Sequence, residues 1–414
     1  MRPANWADRQ QRFFVRGNSV TYKPVILVVT GYYSPGFKAG GVLRNIINTV
    51  DNLCDQFEFR IITRDRDLGD DTAFPNIRPE AWLPVGNATV YYLPPEAENF
   101  GRLGRLLADT PHDLLFLSSY FDPLTIRTLL NRRLRGLRHP RAIVAPFGEF
   151  ADASLTQKYA KKLAYILFAK IAELYRNVTW RVSSSYEAED LVRVLGVGSD
   201  SIAVTGDLPT KGPLPEHANQ STSGFRPECD GLRVIFLSRI AREKNLDYAL
   251  KVLKKVSAKI YFDIYGPAEN VAYWDECKRI IAGMPANIVV SYKGKISPDE
   301  VVRIFAQYDL FLFPTGGEAY GNVIAESLTA GTPVLISTET PWRRLRPDGL
   351  GWDLDLDEPD EFVRIIEEYS SLSLERRMED RAAVLRNIRS RLFDSEVLAS
   401  NRRLFESHLG ECGS

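Results

Sequence analysis

The sequence predicts an α/β protein of two doubly wound domains, each a parallel sheet flanked by helices. Three observations carry this. Short β-rich apolar runs alternate with helical patterns through most of the chain. The runs are continuous, as in VILVVT at 25–30, DLLFLSS at 113–119, RVIFLS at 233–238 and LFLFP at 310–314, and strands covered on both faces read that way. The series breaks once, over 207–231, where Pro209, Pro213, Pro215 and Pro227 stand among Gly212, Gly224 and Gly231, and it restarts directly afterwards. A length of 414 residues fits two domains at roughly 100–200 residues each.

In the first half the expected strands are 25–30, 59–63, 89–93, 114–118, 142–146, 178–183 and 202–205, with helices at 43–53 and 155–176 among those between them. In the second half they are 232–238, 260–265, 288–292, 310–314 and 333–337, with helices at 246–256, 299–308 and 323–330. No strand is expected after Ser337, and from Glu361 to Leu409 the pattern is helical. The resulting boundaries are a first domain over 1–207, a linker over 208–231 and a second domain over 232–392. A last helix within 393–414 is expected to return to the first domain, with Leu398, Leu404 and Leu409 as its apolar positions beside Arg402, Arg403 and Glu406.

Composition excludes several classes. Lys plus Arg and Asp plus Glu are 53 each, so no global excess draws the chain to nucleic acid, although residues 1–200 carry a net +5 and residues 201–414 a net −5. Cys54, Cys229, Cys277 and Cys412 are scattered without a CxxC, and His112, His139, His217 and His408 are equally dispersed. That argues against a disulfide framework, a structural zinc or histidine metal chemistry, and it fits a reducing cytoplasm. No apolar stretch is long enough to span a bilayer, and Met1–Lys23 has arginines but no apolar signal-peptide core. The expectation is a soluble cytoplasmic protein.

The most informative stretch runs from Phe311 to Ser337. A buried strand ends at Pro314, a loop with Gly316, Gly317 and Gly321 follows, and a helix opens near Asn322 and closes at Gly331. Glycines let backbone approach a ligand, and a helix N-terminus offers unpaired N–H groups, so the junction suits a phosphate. Glu318 and Glu326 would be repelled by that phosphate and are better read as acceptors for sugar hydroxyls. Arg239, Arg242 and Lys244 follow the strand that opens the second domain, at the carboxyl end where ligands bind in open α/β sheets. Arg and Lys together suit a diphosphate. Each motif alone is commonplace: two glutamates eight apart occur by chance, and a basic turn before a helix is ordinarily solvated.

Taken in order, SRIAREKN (238–245), FDIYGPAE (262–269), VSYKGKISPDEVVRIFAQYDLFLFPT (290–315) and GGEAYGNVIAESLTAGTPVLIS (316–337) resemble family 4 of the GT-B glycosyltransferases, which are retaining enzymes. TGYYSPGFKAGGVLRNIINTVDNL (30–53) is similar to the family's glycine loop after the first strand, and segments such as APFGEFADASLTQKYAKK and TPWRRL resemble its polysaccharide-building branch. The resemblance implies the GT-B fold, two Rossmann-like domains facing a cleft. It implies transfer of a sugar from a nucleoside diphosphate sugar to a glycan or lipid-linked acceptor in cell-surface polysaccharide synthesis, with no cofactor and no metal. On that match Arg239 and Lys244 hold the diphosphate and stabilise its departing charge, and Glu318 faces the transferred sugar. Glu326 takes the ribose hydroxyls, and the amides of Ala319, Tyr320, Gly321, Asn322 and Val323 contact sugar or phosphate. Gly266 and the turn Gly294-Lys295-Ile296 frame the base, and Gly40 and Gly41 approach from the other domain. Many members carry a His-Gly pair where this chain has Phe147-Gly148-Glu149, which leaves Glu149 as a candidate for acceptor contact.

Weaker signals remain. Asp65-Arg66-Asp67 and the acidic run Asp353–Asp357 could hold a divalent cation on a diphosphate, yet capping and surface pairing explain such short motifs as well. The basic segment 131–141 and Lys158, Lys161, Lys162 and Lys170 read either as a solvated face or as a docking surface for anionic membrane, which would make the protein peripheral on the inner face. Tyr32, Tyr33, Tyr120 and Phe121 follow strand ends and suit either sugar stacking or packing. Two rival functions are a nucleotide-sugar epimerase on the same scaffold, which would need no acceptor cleft, and a non-catalytic nucleotide-sugar-binding protein. An NAD enzyme is disfavoured because no G-x-G-x-x-G follows 25–30.

Overall fold

A computed structural model describes residues 14–15, 20–21, 23–134, 141–155, 159–211, 230–297, 300–318, 320–392 and 395–409. After a short hairpin, β1 (Phe14–Val15) and β2 (Val20–Thr21), the first sheet comprises β3 (Val25–Val29), β4 (Glu58–Arg64), β5 (Trp82–Val85), β6 (Ala88–Leu93), β7 (Leu114–Ser118), β8 (Ala142–Ala145), β9 (Val178–Val182) and β10 (Ile202–Val204). Its helices are α1 (Gly41–Leu53), α2 (Phe100–Asp109), α3 (Pro123–Leu134), α4 (Asp152–Leu155), α5 (Tyr159–Ile171) and α6 (Ser185–Leu195). The spatial order is β10-β9-β8-β7-β3-β4-β6-β5, parallel except that β5 runs antiparallel to β6.

The second sheet comprises β11 (Leu232–Leu237), β12 (Ile260–Tyr265), β13 (Ile288–Gly294), β14 (Leu310–Phe313), β15 (Val334–Ser337) and β16 (Gly351–Leu354). Its helices are α7 (Leu246–Leu253), α8 (Val271–Ala282), α9 (Val301–Phe305), α10 (Asn322–Thr329), α11 (Pro359–Ser370) and α12 (Leu374–Leu392), and α13 (Ser395–Leu409) ends the described chain. The order β13-β12-β11-β14-β15-β16 is parallel throughout.

The continuous apolar runs have a direct cause. All five residues of β3 are buried, with Leu27 and Val29 feeding one apolar layer and Ile26 and Val28 the layer on the opposite face. Helix α1 covers the second layer with Leu43, Ile46, Val50 and Leu53, a 3-4-3 spacing that keeps one stripe inward. Late in the chain, α12 packs Val384, Ile388 and Leu392 into the core of the second sheet, whereas α13 places Leu404 and Phe405 in the core of the first. The Phe405 ring lies 5.6 Å from Phe57, 6.4 Å from Phe59 and 5.8 Å from Phe116, and Asn401 Nδ2 donates to the Gly206 carbonyl.

Two expectations need correcting, and one strand, β5, was not among those expected. A strand does follow Ser337: β16 pairs with β15 at the sheet edge, and its sequence Gly-Trp-Asp-Leu is too short and polar to announce itself. Asp353 therefore lies within a strand, not after the last one. Strand β5 carries Pro84, which reads against a strand but is tolerated at an edge. The helix expected over 155–176 is described at Leu155 and over Tyr159–Ile171, residues 156–158 lying outside the described residues, and it ends earlier than expected: after Ile171 the chain turns through Glu173 and Asn177, at φ 47° and 58°. Most of the linker (212–229), together with Cys229 and Cys412, His139 and His217, Lys158 and residues 135–140 of the basic segment, lies outside the described residues.

Candidate active site

In the second sheet the chain runs from β11 outward through β12 to β13, then returns beside β11 as β14 and continues to β15 and β16. The crevice beyond the carboxyl ends of β11 and β14 is the topological switch point, where open α/β sheets bind ligands. The loops leaving these two strands are fastened together: Gly316 N–H and Thr315 Oγ1 both donate to the Glu243 carbonyl, at 2.7 and 3.1 Å. A Cβ on Gly316 would sit 3.3 Å from that oxygen, so the glycine allows the close approach.

Lys244 Nζ reaches Glu318 Oε1 at 2.6 Å, with the two side chains only 11% and 17% exposed. Arg239 holds Glu269 at 2.8 Å and Glu243 at 3.4 Å, and keeps 42% of its surface in water. Both expected diphosphate cations thus lie at the switch point with carboxylates as partners. Arg242 turns away, donating to Glu276 at 2.9 Å with its guanidinium over the Tyr273 ring. Gly266, at φ 128°, admits no side chain because any Cβ would run into the Ser238 carbonyl beside Arg239. Its N–H donates to Gly294 O at 2.8 Å, which brings the Gly294 turn alongside; Lys295 is exposed there.

Helix α10 begins at Asn322, with Gly321 at φ 80° as its N-cap and no side chain capping it. The Trp342 indole donates to the Tyr320 carbonyl at 2.6 Å and so braces this turn, and Val323 lies in the first turn. Ala319 lies outside the described residues. Glu326, four residues on from Asn322, lines the inner face. Its carboxyl group is pushed up to about 7 by burial, opposed only by Arg44, whose Nη2 is 3.9 Å away.

Arg44 belongs to the other sheet's α1, which also starts at an N-cap glycine without a side-chain cap: Gly40, at φ 62°. The two helix N-termini converge, since Asn322 Nδ2 donates to Asn45 Oδ1 at 3.2 Å, and a Cβ on Gly41 would lie 3.5 Å from that same nitrogen. Asn45 Nδ2 in turn donates to Asp207 at 2.7 Å, and Asp207 pairs with the buried Arg181. A further contact bridges the two halves where the Arg343 guanidinium lies 5.3 Å over the Tyr186 ring. Two uncapped N-termini facing one space, with an amine and a guanidinium at its edge, make a site that favours an anion with two negative groups.

On the rim of the first sheet, Ser119 and Phe147 hold positive φ of 76° and 50°. Both oxygens of Glu149 are engaged there: Ser119 Oγ donates to one and the Tyr120 N–H to the other, each at 2.5 Å. Burial pushes this carboxyl up to about 7. Tyr33 and Tyr120 go to the core, Tyr120 stacking 4.4 Å from Tyr175, while Tyr32 lies under the Arg64 guanidinium. Of the Asp-x-Asp pair, Asp67 accepts from the N–H groups of Phe37, Lys38 and Leu68 and so shapes the loop leading to Gly40, and Asp65 pairs with Arg66.

Arg44, Asn45 and Trp342 were not singled out by sequence reasoning. The first two stand one turn into the helix behind the Gly40–Gly41 pair, a position that could have pointed to them. Trp342 carries no local signal, because its partner is a backbone carbonyl 22 residues away in sequence.

Residues 226–385 match the family model described as Glycosyl transferases group 1. Among curated proteins, a 41.2 kDa protein of the cps region of Klebsiella pneumoniae is 23% identical over 265 residues, covering 62% of this chain and 69% of its own. Sulfoquinovosyl transferase SQD2 of Arabidopsis thaliana is 32% identical over 103 residues, 25% of this chain and 18% of that protein. Among solved structures, Anabaena Alr3699/HepE in complex with UDP and glucose superposes with a TM-score of 0.63 at 15% identity, covering 93% of this chain and 99% of that one. WaaG, a glycosyltransferase involved in lipopolysaccharide biosynthesis, superposes with a TM-score of 0.63 at 13% identity, covering 93% and 100%. The motif order in the second half, the paired parallel sheets and these matches agree: the fold is GT-B, and residues 226–385 form a domain of the Glycosyl transferases group 1 family.

Proposed function

We propose that the chain is a retaining glycosyltransferase that moves a sugar from a nucleoside diphosphate sugar, with uridine as the base, to a glycan or lipid-linked acceptor in cell-surface polysaccharide synthesis. The observation that carries this is the meeting of two glycine-capped helix N-termini, those of α1 and α10, beside Lys244, Arg239 and the Glu326 carboxyl group. Structural neighbours solved with UDP and with UDP-glucose support uridine, and relatives tied to a cps region and to lipopolysaccharide support the polysaccharide role.

The division of labour follows from the chemistry. Residues 1–207, with the helix that ends the chain, form the acceptor-side domain, 208–231 the linker and 232–392 the donor domain. Glu326 accepts from the ribose hydroxyls, and Gly266 with the Gly294–Ile296 turn frames the base. As the bond from the anomeric carbon to the diphosphate oxygen breaks, negative charge grows on the diphosphate. Arg239, Lys244 and the amides of 319–323 meet that charge, with Gly40 and Gly41 leaving room for it. The acceptor hydroxyl attacks the anomeric carbon from the face the diphosphate vacates, and its proton passes to the departing phosphate oxygen. Glu318, fixed by Lys244, accepts from hydroxyls of the sugar, and Glu149 braces the rim where the acceptor enters. No step needs a metal.

The test is a screen of UDP-, GDP-, ADP- and dTDP-sugars by thermal shift, followed by turnover with the best donor and a membrane glycolipid extract, with and without EDTA. The proposal expects a UDP-sugar to stabilise the protein and its sugar to appear on the extract in either condition. A new sugar nucleotide made without acceptor would instead establish an epimerase. Loss of transfer in EDTA with rescue by Mg²⁺ or Mn²⁺ would overturn the metal-free mechanism.

A further inference from the structure

Three cations face the space between the two helix N-termini, and Arg44 differs from the other two. Arg239 is already held by Glu269 at 2.8 Å and Glu243 at 3.4 Å, and Lys244 by Glu318 at 2.6 Å. Arg44 makes no side-chain hydrogen bond among the described residues. Its ion pair with Glu326 spans 3.9 Å, too far for a hydrogen bond. Yet its side chain is only 28% exposed. A guanidinium carries five N–H donors, and holding it mostly out of water with none of them spent costs stability unless a ligand takes them up.

The backbone aims this side chain. Arg44 stands in the first turn of α1, three residues after Gly41, and helix side chains lean toward the N-terminus, here toward the amides behind Gly40. Its neighbour Asn45 accepts from Asn322 Nδ2 at 3.2 Å, and Asn322 is the first residue of α10. The guanidinium thus enters the space from the first sheet's side, whereas Arg239 and Lys244 enter it from the second.

Charge selects the group it meets. On the second sheet's side two cations, Arg239 and Lys244, stand with four carboxylates, those of Glu243, Glu269, Glu318 and Glu326. A diphosphate linked to ribose and sugar adds two more negative charges. Arg239 and Lys244 serve it only by sharing it with carboxylates that hold them already. Arg44 has no such competitor once Glu326 turns to the ribose hydroxyls, and its planar fork matches the paired oxygens of a phosphate.

We propose that Arg44 is a donor-binding residue supplied from the first sheet's side. Its guanidinium donates to the diphosphate of the nucleoside diphosphate sugar, so a donor held on the second sheet's loops becomes a bridge between the two. The inference rests on the transfer reading and adds to it a cation from the opposite wall.

The experiment is calorimetric titration of wild type, Arg44→Met and Arg44→Lys with UDP and with uridine, at pH 8.5, above the Glu326 midpoint of about 7. Arg44→Met should weaken UDP binding about 10- to 100-fold, the range of a charge-assisted hydrogen bond, and leave uridine within about twofold. Arg44→Lys should recover part of the loss, since it restores the charge without the fork. The loss should persist in a Glu326→Gln background, because the contact with phosphate is direct. Retained uridine binding and an unchanged melting temperature without nucleotide report that each variant is folded. Equal UDP affinity in wild type and Arg44→Met, an equal loss of uridine, or a loss that vanishes in the Glu326→Gln background would overturn the proposal. Wild type that fails to bind UDP would refute the uridine-based transfer reading itself, and the proposal with it.

Discussion

Replacing Glu326 by Gln should make donor binding both weaker and insensitive to pH. The Glu326 carboxyl is held near 7 by burial, against an ordinary value of 4.5, and Arg44 at 3.9 Å is the one charge opposing that shift. At 1.36 kcal/mol per unit, keeping the group ionised in the unliganded fold costs up to about 3 kcal/mol, an upper bound because a quarter of the side chain meets water. The sign follows. A carboxyl raised on folding leaves stability intact below pH 4.5 and withdraws it as pH climbs to 7, so Glu326→Gln should stabilise the unliganded protein at pH 8 and hardly at pH 4.5. Binding runs the other way, because the ionised carboxylate accepts from both ribose hydroxyls and the neutral acid does not. With a midpoint of 7 the ionised fraction rises about tenfold between pH 6 and pH 8, and UDP-sugar affinity should rise by the same factor. A sugar diester avoids the titration of a terminal phosphate. Isothermal calorimetry in two buffers of different ionisation enthalpy should find nearly one proton released per donor bound at pH 6. A flat wild-type profile, or the same slope in Glu326→Gln, would refute the assignment of the ribose to this residue.

Two further perturbations separate structure from chemistry. Phe405→Ala removes a ring that is 2% exposed among Phe57, Phe59 and Phe116, and should cost about 3–5 kcal/mol. Hydrogen exchange should then show the lost protection in β3, β4 and β7, and intact protection in β11–β15 would check that the loss stays with the first sheet. Lys244→Ala should lower kcat about 10²–10³-fold by removing a preorganised cation from the leaving group. The same substitution leaves Glu318 without its partner at 2.6 Å, so Lys244→Ala with Glu318→Gln should lose less than the two single losses combined.

Much of this molecule could be read from its sequence, and the reason is periodicity and local chemistry. A parallel strand covered on both faces must be apolar at every position, so β3, β7, β11 and β14 stand out, and the helices between them repeat their apolar residues at 3 and 4. Two of the four edge strands escape the rule: β5 and β16 are half-solvated, and their residues look like loop. The glycines of the site were legible for the same local reason, since Gly40, Gly266 and Gly321 occupy left-handed or related backbone conformations that side chains resist. Lys244 and Glu318 were each legible as candidates, but not that each is the other's partner, because 74 residues separate them and only the adjacency of β11 and β14 closes that distance. Arg44 near Glu326 and Asn45 on Asn322 are farther still from sequence reach, with 277 residues between the two asparagines. Helix α5 makes the last case. Its periodicity announces an amphipathic helix and does not say which face is covered, and only the packing of Ile166 and Ala169 inward leaves Leu163, Leu167 and Ile171 in water. Sequence encodes what each backbone segment prefers and which side chains bear charge. Which charges meet, and which apolar faces stay bare, depends on the relative placement of elements distant in the chain, and that exists only once the sheets have assembled.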